Sequence, residues 1–262
     1  MEESSIKYTS DKRPPSSSSW HDKDDWQQGE SSGIDIIDDA LVANEELLRS
    51  KNAPESGIAR WTFDDEHIES GTLLDIWGGY HATINGPTTG IAGPKRTYNT
   101  GQAFQFDGSG TIDTTLSPSD VGVQGSNPKS ISIWAYPEVF NGGGLFEWGI
   151  TGTSGYDFSL RTRDTVGEYR TQFWSDADID FSFGGTDEWI HFVVSWDGSE
   201  TRVYANGKLQ AQGTYPLDTK ESHLRIGKWN DHLFKGRLTD VRIYSKSLSA
   251  AKVSSLYSDG QI

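Results

Sequence analysis

Residues 187–210 read DEWIHFVVSWDGSETRVYANGKLQ. Ile190, Phe192, Val194 and Trp196 alternate with His191 and Ser195, so one set faces a core and the other faces away. In the next run Arg202 and Tyr204 lie opposite Val203, and Asn206-Gly207 then interrupts the pattern. Asn-Gly between two alternating runs predicts a tight hairpin, because both residues accept the positive φ that such turns require.

The same short alternation, separated by Gly, Asn, Asp and Pro, recurs on both sides of this stretch. It appears as GQAFQFDGSGTIDT (101–114), KSISIWAYPE (129–138), YDFSLRTR (156–163) and EYRTQFWS (168–175). Many evenly spaced strands without helices between them predict an all-β chain folded as a two-sheet antiparallel sandwich. Aromatic side chains are abundant enough to fill the space between the sheets.

The 262 residues allow one large β domain or two small ones. A formal charge of −15 argues against nucleic acid or an anionic membrane as the main partner. Asp outnumbers Glu 24 to 14, which fits a surface kept hydrated in concentrated salt and also fits a merely soluble acidic protein. With no cysteine, disulfides, thiol catalysis and zinc thiolates are excluded. No apolar run reaches the ~20 residues of a membrane helix, and the first residues lack the apolar segment of a signal peptide.

Residues 1–33 form a polar arm too poor in apolar groups to fold alone. Trp20 and Trp26 interrupt it, either as anchors for a partner's groove or as solvated side chains. Residues 34–52 predict an amphipathic helix. Ile34, Ile37, Leu41 and Leu48 lie on one seam, which either packs on the chain's own domain or joins a partner or a second copy. Residues 53–57 are a linker to a domain spanning 58–262.

Across residues 58–260 the segments ARWTFDD, LLDIWGGYHATING, GQAFQFDGSG, KSISIWAYPE, DEWIHFVVSWDGSETRVYANGKLQ, LRIGKW and FKGRLTDVRIYSKSLSAAKVSSLY follow one another in order. This series resembles the laminin-G-like, concanavalin A-like jelly-roll domains. The resemblance implies a last strand returning beside the first. It also implies a short C-terminal helix, capped by Ser249 and followed by Gly260, that closes one end of the sandwich. Concave sheets and rim loops are common ligand surfaces in that family.

Retaining glucanases of this shape need two carboxyl groups about 5 Å apart on one face. The nearest approaches here, ADIDFSF (177–183) and GIDIIDDA (33–40), carry no Glu, and the chain has no HExxH or GxSxG. His67, His81, His191, His223 and His232 are scattered without metal-ligand spacing. No catalytic residues are predicted.

Binding is the better-supported activity. If the strands after residue 156 are neighbours, Arg161, Arg170, Gln172, Trp174, His191 and Tyr204 share an open face. Planar polar groups there suit sugar hydroxyls, and an indole suits a ring's apolar side. The alternative is an ordinary solvated sheet face. The resemblance further implies a structural calcium, with Asp64, Asp107 and Asp240 as candidate ligands, although Thr239 stands where many relatives have Asp. No cofactor is required.

These expectations combine into a non-enzymatic surface or decoration protein of a virus particle. Residues 1–56 would dock it to other virion proteins and drive self-association, and the jelly roll would face outward toward host glycans. A carbohydrate-binding module of a cellular halophile is the alternative, and a glycoside hydrolase the third reading.

Overall fold

The structure, a computed structural model, describes residues 53–94 and 101–259. The polar arm and the amphipathic helix, with Trp20, Trp26, Ile34, Ile37, Leu41 and Leu48, lie outside the described residues.

The strands begin with β1 (Gly57–Trp61), β2 (Ile68–Glu69), β3 (Thr72–Leu73), β4 (Ala82–Asn85), β5 (Thr88–Ala92), β6 (Gln102–Asp107) and β7 (Thr111–Thr114). The middle of the chain contributes β8 (Lys129–Pro137), β9 (Gly144–Gly149), β10 (Asp157–Thr162), β11 (Glu168–Gln172), β12 (Ile179–Ser182), β13 (Ile190–Trp196), β14 (Thr201–Ala205) and β15 (Lys208–Gly213). The last strands are β16 (Arg225–Ile226), β17 (Lys228–Trp229), β18 (His232–Leu233) and β19 (Lys235–Tyr244), followed by helix α1 (Ala250–Asp259).

These strands form two large antiparallel sheets. The first runs β15-β14-β13-β8-β19-β6-β5, with β1 on β19; the second runs β12-β11-β10-β9-β16-β7-β4-β3-β2. The last strand does return beside the first, with Trp61 opposite Val241. Asn206 and Gly207, at φ 47° and 75°, make the expected tight turn between β14 and β15. One aromatic-rich core fills the space between the sheets. Trp61, Phe104 and Phe192 come from the first sheet, and Phe146, Trp148, Phe158 and Tyr169 from the second.

Two expectations are corrected. First, β13 and β14 belong to the sheet opposite β10 and β11, so His191 and Tyr204 point away from the other four candidate residues. Alternation gives the face of a strand but not the sheet it joins. Second, α1 lies across the outer face of the first sheet rather than at the end of the sandwich. Its Val253 and Leu256 pack with Val193, Tyr204, Tyr244 and Trp77 in a second apolar cluster. Those outward apolar residues need cover, and the helix supplies it. Ser249 caps it as expected, its Oγ accepting the Lys252 N–H at 3.3 Å.

Leu256→Ala removes the main anchor of the helix. Chemical denaturation should show a loss of about 2–5 kcal/mol, the usual range for truncating a buried leucine. A loss below about 1 kcal/mol would mean that the helix contributes little to closing this face.

Candidate functional site

The outer face of the second sheet is built by alternation. Phe146 and Trp148 of β9, Phe158 and Leu160 of β10 and Tyr169 of β11 enter the core. Glu147, Asp157, Ser159, Arg161, Arg170 and Gln172 are thereby turned outward, with Ser159 opposite Glu147 and Arg161 opposite Arg170. The two acids nevertheless have almost no exposure, at 2% for Glu147 and 0% for Asp157.

A small hairpin, β17–β18, covers them. It lies against Gly144, where a Cβ would stand 2.2 Å from the backbone of Lys228 and Trp229. Only glycine allows that approach. The Trp229 indole N–H donates to Asp157 Oδ2 at 2.9 Å, and the Asn230 N–H donates to Glu147 Oε1 at 3.1 Å. Arg225 closes the second Glu147 oxygen at 2.6 Å, and Ser159 donates to Asp157. Burial pushes the Asp157 carboxyl up to about 7, against the hydrogen bonds that favour its charged form; the nearby Glu147 adds to the rise.

Trp229 makes two ring contacts as well. The Arg161 guanidinium lies 4.4 Å from its ring centroid, and His232 stacks at 5.5 Å with 17° between the planes. Arg161 Nε donates to Gln172 Oε1 at 2.9 Å.

Asp178 organises the neighbouring edge. One oxygen accepts from Arg170 Nη1 at 3.0 Å and from Gln172 Nε2 at 2.6 Å, and the other accepts the Phe173 N–H at 2.8 Å. Arg170 also forks onto Asp180 at 2.7 and 2.6 Å, which raises its own pKa and lowers that of Asp180. A cleft of 240 Å³ beside this pair is lined by Arg163, Glu168, Asp180, Phe181 and Ser182.

The chain then bends sharply. Trp174 has φ 76° and ψ 126°, and Ser175 has φ 59°, both unfavourable for residues with a Cβ. The half-buried indole of Trp174 is set 6.3 Å from that of Trp229. Such strain costs on the order of 1–3 kcal/mol and persists where the surroundings over-determine it, often at ligand sites.

The structure therefore brings together Arg161, Arg170, Gln172 and Trp174 and separates them from His191 and Tyr204. His191, 1% exposed, bonds to Ser132 Oγ through Nε2 at 2.8 Å and lies against Trp134 and Tyr257, which also stack on each other. Sequence reading misses Glu147 and Trp229 as site residues. Glu147 sits between Phe146 and Trp148 in a run that reads as core, and Trp229 belongs to a two-residue strand. An acid placed between two large apolar residues was the available signal.

The three candidate metal ligands are not assembled as one set. Asp240 is held by Arg60 at 2.9 Å and by Arg242 at 2.5 and 3.1 Å. Asp107 closes its own turn on Ser109, and hydrogen bonds from that residue keep its carboxyl below the usual range. Register puts Asp107 opposite Lys235, five positions up β19 from Asp240 and on the order of 16 Å away. Asp64 differs. It accepts the Gln102 N–H at 3.1 Å, and near it Thr239 Oγ1 is 2.9 and 2.7 Å from the carbonyl oxygens of Thr62 and Gln102. Glu66 and His67 offer further ligand atoms, all within 4.8 Å of one another and of Asp64.

Residues 107–254 match the family described as the concanavalin A-like lectin/glucanases superfamily. No curated protein matches the sequence. Among solved structures, the chain is similar to Trypanosoma rangeli sialidase at 14% identity and TM-score 0.59, over 78% of this chain and 32% of that one. It is also similar to domain 4 of AbnA, a GH43 extracellular arabinanase from Geobacillus stearothermophilus, in complex with arabinotriose. That match has 22% identity and TM-score 0.54, and covers 78% of this chain and all of that one, 100%. The receptor-binding domain of botulinum neurotoxin C/D mosaic serotype gives 18% identity and TM-score 0.57, over 78% and 51%. The chain thus spans about a third of the sialidase and the whole of the arabinanase domain. At these identities the likeness is one of fold.

Burial makes the folded chain hold the Asp157 proton more tightly than the unfolded chain, whose carboxyl titrates near ~3.9. The resulting stabilisation is full below about pH 4 and is lost as the pH rises through about 7. Thermal unfolding of Asp157→Asn, compared with the wild type from pH 4 to 8, should lack that part of the decline. Parallel profiles would refute the assignment.

Proposed function

We propose that this chain, which belongs to the concanavalin A-like lectin/glucanases superfamily, is a non-enzymatic glycan-binding module acting through the outer face of its second sheet. The observation that carries the reading is Trp174, whose indole is held on that face by a strained backbone, beside Trp229 and within a frame of fixed planar polar groups. A rigid aromatic surface flanked by hydrogen-bonding groups fits the alternating apolar and hydroxylated faces of a sugar. The arabinanase domain solved with arabinotriose and the toxin's receptor-binding domain support the reading by analogy of fold.

The two buried acids on this face support a non-catalytic role. Glu147 and Asp157 are sealed beneath the hairpin with both carboxylates engaged, and a general acid or nucleophile must reach its substrate. Display on a virus particle through residues 1–56 remains part of the proposal and rests on the sequence of that segment alone.

Binding of the full chain to a panel of neutral and acidic polysaccharides, read by affinity electrophoresis, tests the main reading. Trp174→Ala should weaken binding at least tenfold, about 1.4 kcal/mol, with an unchanged circular dichroism spectrum. No reducing ends should be released from any bound polymer. Binding that ignores the substitution would move the site elsewhere, and released reducing ends would make the chain an enzyme.

Calcium is proposed at Asp64 alone, where carboxylate, carbonyl and hydroxyl oxygens converge. Calcium at about 100 times its Kd should add about 2.7 kcal/mol to stability, and chelation should reverse the gain. The idea fails if the unfolding midpoint does not respond or if Asp64→Asn responds equally.

A further inference from the structure

The outer face of the first sheet carries a row of side chains beyond the strip that α1 covers. Ala135, Ile190, Leu238, Phe104 and Phe106 enter the core, so alternation turns Tyr136, Trp189, Arg237 and Gln105 outward. Register sets these four side by side. Arg237 lies opposite Tyr136 on one flank and Gln105 on the other, and Trp189, just before β13, extends the pairing of Ile190 with Ala135 to Tyr136. Three strand spacings make the row about 14 Å long, enough for a trisaccharide.

The parts of the row are fixed by one another. The Trp189 and Tyr136 rings lie 5.4 Å apart, and the Arg237 guanidinium lies 4.8 Å from the Tyr136 centroid. Arg237 Nε donates to Gln105 Oε1 at 3.1 Å, and Gln105 Nε2 donates to Glu138 Oε2 at 2.8 Å. The bend leading into Trp189 is held as well: Asp187, at φ 63°, donates its N–H to the Pro137 carbonyl at 2.9 Å. Hydrogen-bonding capacity is left over. Among the described residues Arg237 bonds only through Nε, which leaves both Nη groups free, and Glu138 Oε1 pairs with that nitrogen only at 3.5 Å. The other outward aromatics of this face are covered, Trp134 by Tyr257, and Tyr204 and Tyr244 by α1. Tyr136 and Trp189 keep part of their surface in solvent.

We propose that this row is a second glycan site, taking a short run of neutral sugar residues with one ring on the Trp189 indole and hydroxyls on the Arg237 Nη groups and Glu138. An aromatic face beside fixed planar donors and acceptors is the chemistry that a sugar ring requires. The charges of Arg237 and Glu138 offset each other, so the row suits an uncharged ligand, and a net charge of −15 works against a second copy of the chain as the occupant. The inference rests on the glycan-binding reading and adds a second valence to it. The two sites lie on opposite outer faces of the sandwich, so one short oligomer cannot reach both, and the chain would link two polymer strands.

The experiment titrates the full chain with arabinotriose, cellotriose and mannotriose by isothermal titration calorimetry. The wild type should bind two molecules of at least one trisaccharide per chain, and Trp174→Ala and Trp189→Ala should each bind one. Arg237→Met, which keeps an unbranched apolar stem and removes the donors, should also bind one. The double variant Trp174→Ala, Trp189→Ala should bind none, with an unchanged circular dichroism spectrum. The wild type should also cross-link the matching polysaccharide into a precipitate that neither single variant forms. One molecule per chain, lost in Trp174→Ala and kept in Trp189→Ala, overturns this inference and leaves the glycan-binding reading standing. One molecule lost in Trp189→Ala and kept in Trp174→Ala supports the row and overturns the placement of the first site. A dimer in sedimentation that Trp189→Ala dissolves would assign the row to a second copy and overturn the inference. Binding of no trisaccharide overturns the second site, and the earlier reading falls with it only if the polysaccharide panel is unbound too.

Discussion

Asp157 is taken out of water on the outside of the sandwich, not within its core, and the arrangement of the second sheet's outer face follows from that. A carboxyl so placed must be hydrogen-bonded or neutral, and here it is both bonded to the Trp229 indole and pushed toward neutrality. The bond fixes Trp229, and Trp229 fixes the positions of Arg161, His232 and the partner indole Trp174. Glu147 repeats the device one strand away, taking Asn230 and Arg225. The small hairpin has only two residues per strand, and two buried acids and the bare backbone of Gly144 hold it in place.

Two kinds of polar group thus share one face. Asp178 and Asp180 both engage Arg170 and form a rigid rim with it, so Arg170 has few donors left for a ligand. Arg161 is fixed by stacking and by a neutral glutamine, and Asp178 and Asp164 offset part of the repulsion from Arg163 and Arg170. Among the candidates expected from the sequence, Arg170 and Gln172 act as frame, while Trp174 and Arg161 remain to meet a ligand.

The sandwich was legible because its alternations are long and its turns are marked. Ile190 to Trp196 and Asn206-Gly207 read directly from residue type, and the pairing of the first and last strands follows from the family resemblance. The four candidates on β10, β11 and the bend after β11 were legible for the same reason, since a period of two assigns faces. His191 and Tyr204 were misplaced because no local signal says which of two sheets a strand enters. That choice depends on long connections and on the partner strands β8 and β15. Trp229 was invisible for a different reason. Its strand is too short to carry a period, and its position depends on a glycine 85 residues earlier in the chain.

The two outer faces of the sandwich differ in what the chain itself places over them. On the first sheet, Val193, Tyr204 and Tyr244 are apolar and are covered by α1 and Trp77. On the second, among the described residues, the hairpin covers the strip over Glu147 and Asp157, and Arg163 and Arg170 beyond it are partly exposed. With a net charge of −15, the chain repels an anion at long range, and salt reduces that repulsion because the screening length falls to about 3 Å at 1 M. A contact between Arg161 and an oxyanion at hydrogen-bond distance is screened far less, since both partners are partly out of water. The overall charge therefore governs how fast a ligand arrives more than which ligand stays.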